Sequence, residues 1–208
     1  MKEKSPYIPP FSKGEIKRKN MSVLISLATK KSVHAEVVKW LLLQNAEYTI
    51  DIVNSPMPLE HVRNLQVKRF LSSDAEFLFL VDSDCVPKPN TLKQLLDFDL
   101  PFISAPHPTI KGNETGVMIM DKVDEGYRQH RPFDKGLEEC DAVGCAGMMI
   151  RRDVFEQVEK PYFKFIYDKE GQLVKGEDFY FCDKLKEAGI KIYAYCDIVQ
   201  THYVEVPI

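Results

Sequence analysis

The stretch Phe77-Leu78-Phe79-Leu80-Val81-Asp82-Ser83-Asp84 decides how the rest of the chain is read. Its uninterrupted apolar run over 77–81, bounded by acids, is the mark of a strand buried on both faces, because a half-buried strand would alternate apolar and polar side chains. Asp82 and Asp84 follow at the carboxyl end. Residues i and i+2 of an extended chain project to the same side, so the two carboxylates can converge on one hard cation. Asp97-Phe98-Asp99 repeats the spacing after a short amphipathic stretch, with no strand to aim it.

Upstream of this run the pattern predicts a strand over 23–27, then a loop over 29–32 whose Ser32 caps a helix to residue 46. A second strand over 48–53 leads to a proline-rich turn, and Pro58 serves as the first residue of a helix to 71. Downstream come a short helix after Pro89 and a strand over 101–105, with 107–140 read as long loops or a small hairpin around 116–120. A strand over 148–150 with a helical turn through Phe155, a helix over 178–188 closed by Gly189, and a strand over 190–195 complete the pattern. Strands alternating with helices predict one α/β domain over 21–208: a doubly wound sheet, parallel through residue 81, with helices on both faces.

At 208 residues the chain has room for one such domain, and 44% hydrophobic with 28% charged residues describes an ordinary globular protein. A net charge of -3 gives no electrostatic case for nucleic acid. No apolar stretch approaches the roughly 20 residues of a membrane helix, and no apolar region follows the charged start, so a cytoplasmic location is expected. Five cysteines with no C-x-x-C pair read as free thiols. Of the ten glycines only Gly14 precedes Gly112, which excludes a dinucleotide-binding glycine loop and a P-loop from the first half. Residues 1–20 carry six bases against two acids and read as a basic arm.

Two further clusters carry chemistry. Gly176-Glu177-Asp178 stands directly before a helix, where acids favour the dipole and the free N–H groups, or where one carboxylate can take a proton from an attacking hydroxyl. His202 gains meaning only if the final segment returns to the Asp82 and Asp84 corner, where it would add a nitrogen ligand.

Arg63-Asn64, the run at 77–84, Val143-Gly144-Cys145-Ala146-Gly147 with the residues to 152, Gly176-Glu177-Asp178-Phe179 and Thr201-His202-Tyr203 stand in this order. That succession resembles the GT-A glycosyltransferases, and within them the small family-2-like branch of bacteria and their phages. The resemblance spans 22–203. It implies a hexosyl transferase in which Asp82 and Asp84 hold Mn²⁺ or Mg²⁺ against the diphosphate of a nucleotide sugar, with Asp84 the more direct ligand, Asp82 nearer the ribose and His202 completing the metal shell. Asp178 would be the general base of an inverting displacement and Glu177 its neighbour on the sugar or acceptor. Thr29, Ser83 and Arg63 would help hold the nucleotide, and Gly144 and Gly147 would keep backbone close to the donor sugar.

Asn54 and Ser55 stand where many relatives carry a base-reading acid, so a UDP-sugar is the expected donor on the resemblance rather than on those residues. Cys85 would suit a softer metal, with no partner thiol nearby in sequence. Arg151 and Arg152 read as a surface pair, and His107 as either a loop residue or a contact to the donor sugar. The acceptor stays open among glycan, lipid carrier, protein and modified nucleic acid. Its recognition would fall to 107–140, to the arm, or to a partner subunit such as a second copy. A sugar-phosphate nucleotidyltransferase shares the doubly wound sheet but would need a glycine-rich loop after the first strand, where Leu27-Ala28-Thr29-Lys30-Lys31-Ser32 has none. A non-catalytic nucleotide-sugar binding protein is the third reading.

Overall fold

The computed structural model describes residues 21–44, 46–111, 114–124, 126–130 and 135–204, so the basic segment 1–20 and the boundary at residue 20 lie outside the described residues. β1 (Val23–Thr29), α1 (Ala35–Leu42), β2 (Tyr48–Asn54), α2 (Leu59–Leu71) and β3 (Phe77–Asp82) form the first half of the sheet. β2 and β3 both run parallel to β1, with Ile25 opposite Ile50 on one side and Phe79 on the other. The chain thus leaves β1 in one direction and returns to its other side. That makes the carboxyl ends of β1 and β3 the topological switch point at which open α/β sheets bind ligands.

The apolar run behaves as its composition predicts. Phe77, Phe79 and Val81 enter a core with Trp40 and Leu41 of α1, while Leu78 and Leu80 enter the opposite core with Val67 and Phe70 of α2. Every one of these strand residues is buried. Burying each such side chain contributes roughly 1.5–3 kcal/mol, so β3 is the spine of both layers.

β4 (Cys85–Val86), α3 (Thr91–Leu96) and β5 (Phe102–Ser104) follow, then β6 (Pro108–Lys111), β7 (Glu114–Val117), β8 (Ile119–Val123), β9 (Gly126–Gln129), β10 (Leu137–Cys140) and β11 (Ala142–Val143). β12 (Met148–Arg151), α4 (Val154–Gln157), β13 (Ile166–Tyr167), β14 (Leu173–Lys175), α5 (Glu177–Glu187), β15 (Ile192–Tyr195) and β16 (Thr201–His202) end the order. The main sheet has seven strands in the order β10-β15-β5-β12-β3-β1-β2. β12 lies antiparallel to both β3 and β5, so the sheet is mixed beyond residue 82.

Several boundaries differ from expectation for local reasons. Ser32 does not cap α1, because its carbonyl accepts the Thr29 hydroxyl at 2.7 Å and so closes the preceding turn. His34 takes the cap instead, its Nδ1 accepting from the Glu36 N–H. The helix stops at Leu42 rather than 46, where the Leu43 N–H and the Gln44 side chain both turn back to the Trp40 carbonyl. Pro58 is the cap of α2 rather than its first residue. Residues 107–140, expected as loops or one small hairpin, contain two hairpins, β6–β7 and β8–β9, and the edge strand β10. The β8–β9 hairpin is held by packing that periodicity does not show: the Tyr127 ring of β9 lies tilted against Phe179 of α5 with centroids 4.6 Å apart, and Asp183 of α5 accepts from Lys122 and Tyr127. α5 ends as predicted, with Gly189 at φ 75° and the Ile190 N–H bonded to the Leu185 carbonyl.

Candidate active site

The two acidic clusters meet on one buried cation. Arg63 of α2 has no exposed surface, and its Nη2 donates to Asp82 Oδ1 at 2.6 Å while its Nε lies 3.9 Å from Glu177 Oε1. Gln66, one turn on and equally buried, accepts from Arg63 Nη1 at 3.2 Å and donates to the Ser26 carbonyl at 2.8 Å, which fixes the fork against β1. Burial alone would favour loss of the charge, but the surrounding negative groups, Asp82 foremost with Glu177, together outweigh it, and the guanidinium is held more firmly protonated than a free arginine. Arg63, expected to help hold the nucleotide, is buried behind the cleft and bonded to Asp82 at its lining.

Glu177 and Asp178 open α5 behind this cation. Glu177 is buried, and burial followed by the Asp178 charge pushes its carboxyl from the ordinary 4.5 up to about 7, against the pull of Arg63. Asp178 is half-buried; burial raises its carboxyl too, opposed by the Phe179 N–H that donates to Oδ1 at 2.8 Å. That bond uses one of the two oxygens of the Asp178 carboxylate, and α5, with Gly176 at its cap position, has no side-chain cap.

The third expected element also returns to the corner. β16 pairs antiparallel with β4 so that His202 stands opposite Cys85, and the Tyr203 N–H bonds to the Asp84 carbonyl at 2.9 Å. His202 Nε2 lies 3.7 Å from Asp84 Oδ2, a separation at which both can ligate one divalent ion. Asp82, also expected as a ligand, has its Oδ1 on Arg63 Nη2 at 2.6 Å. The C-terminal segment is pinned there by stacking of Tyr203 on His34 at 3.8 Å and by Gln200, which donates to the Ala105 and Ala146 carbonyls.

A cleft of 390 Å³ opens at the switch point, lined by Thr29, Lys30, Lys31, Asp82, Ser83 and Asp84 among others. This is within the roughly 300–1,000 Å³ of small-molecule sites. Thr29 and Ser83, expected to help hold the nucleotide, both line it. Gly144 and Gly147, expected to keep backbone close to the donor sugar, also stand close to atoms of the protein itself. A Cβ at 144 would lie 2.3 Å from His107 Nε2, and one at 147, where φ is 92°, would lie 2.1 Å from the Ala105 carbonyl oxygen. Arg152 is no loose surface residue, since its guanidinium caps the carboxyl end of α2 through the Phe70 and Leu71 carbonyls.

The seven-stranded mixed sheet with its carboxylate corner at the switch point is the GT-A fold. No family model matches the chain, and no curated protein does. Among solved structures it is similar to A197 from STIV, at 20% identity and a TM-score of 0.66, covering 89% of this chain and 87% of that one. It is also similar to GalNAc-T7, solved with UDP, GalNAc and Mn²⁺, at 12% identity and a TM-score of 0.57, covering 91% of this chain. S. aureus TarS with UDP-GlcNAc matches at 14% identity and a TM-score of 0.57, covering 90% of this chain. The chain spans 45% of the GalNAc-T7 chain and 60% of the TarS chain. Among the described residues no helix is long and apolar enough to cross a membrane.

Proposed function

We propose that this protein transfers a sugar from a nucleoside-diphosphate sugar, UDP-linked in the first instance, to an acceptor hydroxyl with inversion, using a divalent cation. The observation that carries the reading is the convergence of Asp82 and Glu177, distant in sequence, on the one buried guanidinium of Arg63 beside the switch-point cleft. A transferase needs its nucleotide corner and its proton acceptor held in fixed relation, and a rigid cation shared between them does that.

On this reading Thr29 and Ser83 contact the nucleotide, Asp82 takes a ribose hydroxyl, and Lys30 and Lys31 at the cleft lip draw in the anionic donor. Asp84 and His202 hold the cation, which when bound neutralises charge on the departing diphosphate. Asp178 accepts the acceptor's proton. Glu177 lies behind it, and its high proton affinity keeps a second negative charge from accumulating there below neutral pH. GalNAc-T7 and TarS, whose solved structures carry UDP or UDP-GlcNAc, support the donor class, and the Mn²⁺ of the former supports the cation.

The test is UDP release from UDP-sugars with Mn²⁺, and the anomeric configuration of the product by NMR. Asp178→Asn is expected to lower turnover about 10²- to 10⁴-fold with donor affinity preserved. Full activity in that variant, or a product that retains the donor configuration, overturns the base assignment. Pyrophosphate release from UTP and a sugar phosphate would point to nucleotidyl transfer instead.

A further inference from the structure

The proposed transfer gives Cys85 and His107 no role, yet both stand at the Asp84–His202 corner. Cys85 Sγ and a ring nitrogen of each of His107 and His202 lie within 4.8 Å of one another. Asp84 joins the group beside His202, its Oδ2 3.7 Å from His202 Nε2. The two rings meet edge to face with centroids 5.6 Å apart.

Backbone geometry brings them together. His202 and Cys85 are directly opposed across the β16–β4 pair, where cross-strand side chains lie within about 4.5–5.5 Å at Cβ. His107 arrives from the start of the β6–β7 hairpin, and the absence of a Cβ at Gly144 leaves room for its ring. The Pro108 carbonyl faces Nδ1 of both His107 and His202, each at 3.1 Å. A carbonyl only accepts, so both rings donate from Nδ1 and keep the lone pair on Nε2. A backbone carbonyl that fixes ring and tautomer in this way is the usual outer support of a metal-bound histidine.

We propose that Cys85, His107, His202 and Asp84 form a four-donor site for a borderline transition metal of the zinc class, in preference to Mg²⁺, and that this metal would expand to five-coordinate to take a diphosphate oxygen. Donor atoms around a tetrahedral zinc lie about 3.3–3.7 Å apart, given bonds of about 2.0–2.3 Å. The set is therefore within an ångström or so of closure, which small side-chain rotations supply. Thiolate and imidazole favour zinc, cobalt or iron over Mg²⁺, which asks for oxygen donors. On binding, Cys85 becomes a thiolate and its proton goes to solvent.

The inference sharpens the metal corner of the transfer reading by sharing Asp84 and His202 with it, but its test needs no donor. The full chain, freed of metal by chelation, is titrated with Co²⁺ and followed by absorption. The expected result is tetrahedral visible bands with a sulfur-to-cobalt charge-transfer band in the near ultraviolet, displaced by stoichiometric Zn²⁺ and not by excess Mg²⁺. Cys85→Ser should lose the charge-transfer band, which separates this thiol from the four other cysteines. His107→Gln should keep the band and weaken Zn²⁺ binding at least 10- to 100-fold, and it keeps the question open to refutation if the serine variant fails to fold. Absence of Co²⁺ binding, a band that survives in Cys85→Ser, or equal competition by Mg²⁺ overturns the proposal. Failure of UDP-sugars to bind the zinc-loaded protein strikes the transfer reading and leaves the metal site standing.

Discussion

Replacing Glu177 with glutamine isolates the electrostatic cost built into the site. Burial and the Asp178 charge raise the Glu177 carboxyl from 4.5 to about 7. A folded-state pKa above the unfolded one means that the native protein holds the extra proton more tightly. Stability from this group is then greatest below pH 4.5, declines as pH rises to 7 and is flat above. The full span is on the order of 3 kcal/mol, of which about 2–3 kcal/mol falls between pH 5 and pH 8. Glu177→Gln removes this dependence, so its stability relative to the parent protein should improve by that amount from pH 5 to pH 8. In a chain of this size that corresponds to roughly 4–12 °C in Tm. Urea unfolding of both proteins at the two pH values, followed by circular dichroism, gives the double difference in which all other titrating groups cancel. Parallel pH profiles would mean that Glu177 ionises without cost and that Arg63, not burial, sets its charge. A variant that fares worse at pH 8 than at pH 5 would refute the reasoning outright.

Other expectations follow from single contacts. Gly147→Ala forces a Cβ against the Ala105 carbonyl at a φ of 92° and should cost at least about 3 kcal/mol by denaturant titration; a cost below 1 would mean that this turn relaxes freely. Asp183, held at about 2 by hydrogen bonds from Lys122, Lys175 and Tyr127 that outweigh its burial, contributes stability above pH 4 that is lost as pH falls through 2. Asp183→Asn should therefore cost about 2 kcal/mol at pH 7 and little near pH 2, measured as urea midpoints. Arg63→Met leaves Asp82 and Glu177 without their cation and should lower stability by about 3–5 kcal/mol at pH 7, with a smaller loss at pH 5, where Glu177 takes up its proton.

The spine of the fold was legible because its signal is local. An apolar run bounded by acids has few structures open to it, and β3 occupies both cores through alternating residues of that run. Gly189 closes α5 by the same local logic. The wing over 107–140 was not legible, because four- and five-residue strands carry too few alternations to outweigh their polar composition, and β8 and β9 are fixed by contact with α5. At the site, Asp82, Glu177, Asp178 and His202 were visible as residues, but their arrangement was not. Nothing in the sequence says that Arg63 is buried between two of them. Gln66 offered a hint, as a polar residue on the apolar face of α2 shared with Val62, Val67 and Phe70. Cys85 and His107 were separable from ordinary core and loop residues only once β16 was seen to fold back on β4.

If the switch-point cleft and the Arg63-linked carboxylates form a sugar-transfer site, the full chain releases UDP from a panel of UDP-sugars when Mn²⁺, Co²⁺ or Zn²⁺ is supplied. The expected result is release above the protein-free rate for at least one donor, abolished by chelation and reduced about 10²- to 10⁴-fold in Asp178→Asn. No release from any donor by folded, metal-loaded protein, or release indifferent to both the cation and Asp178, would contradict it.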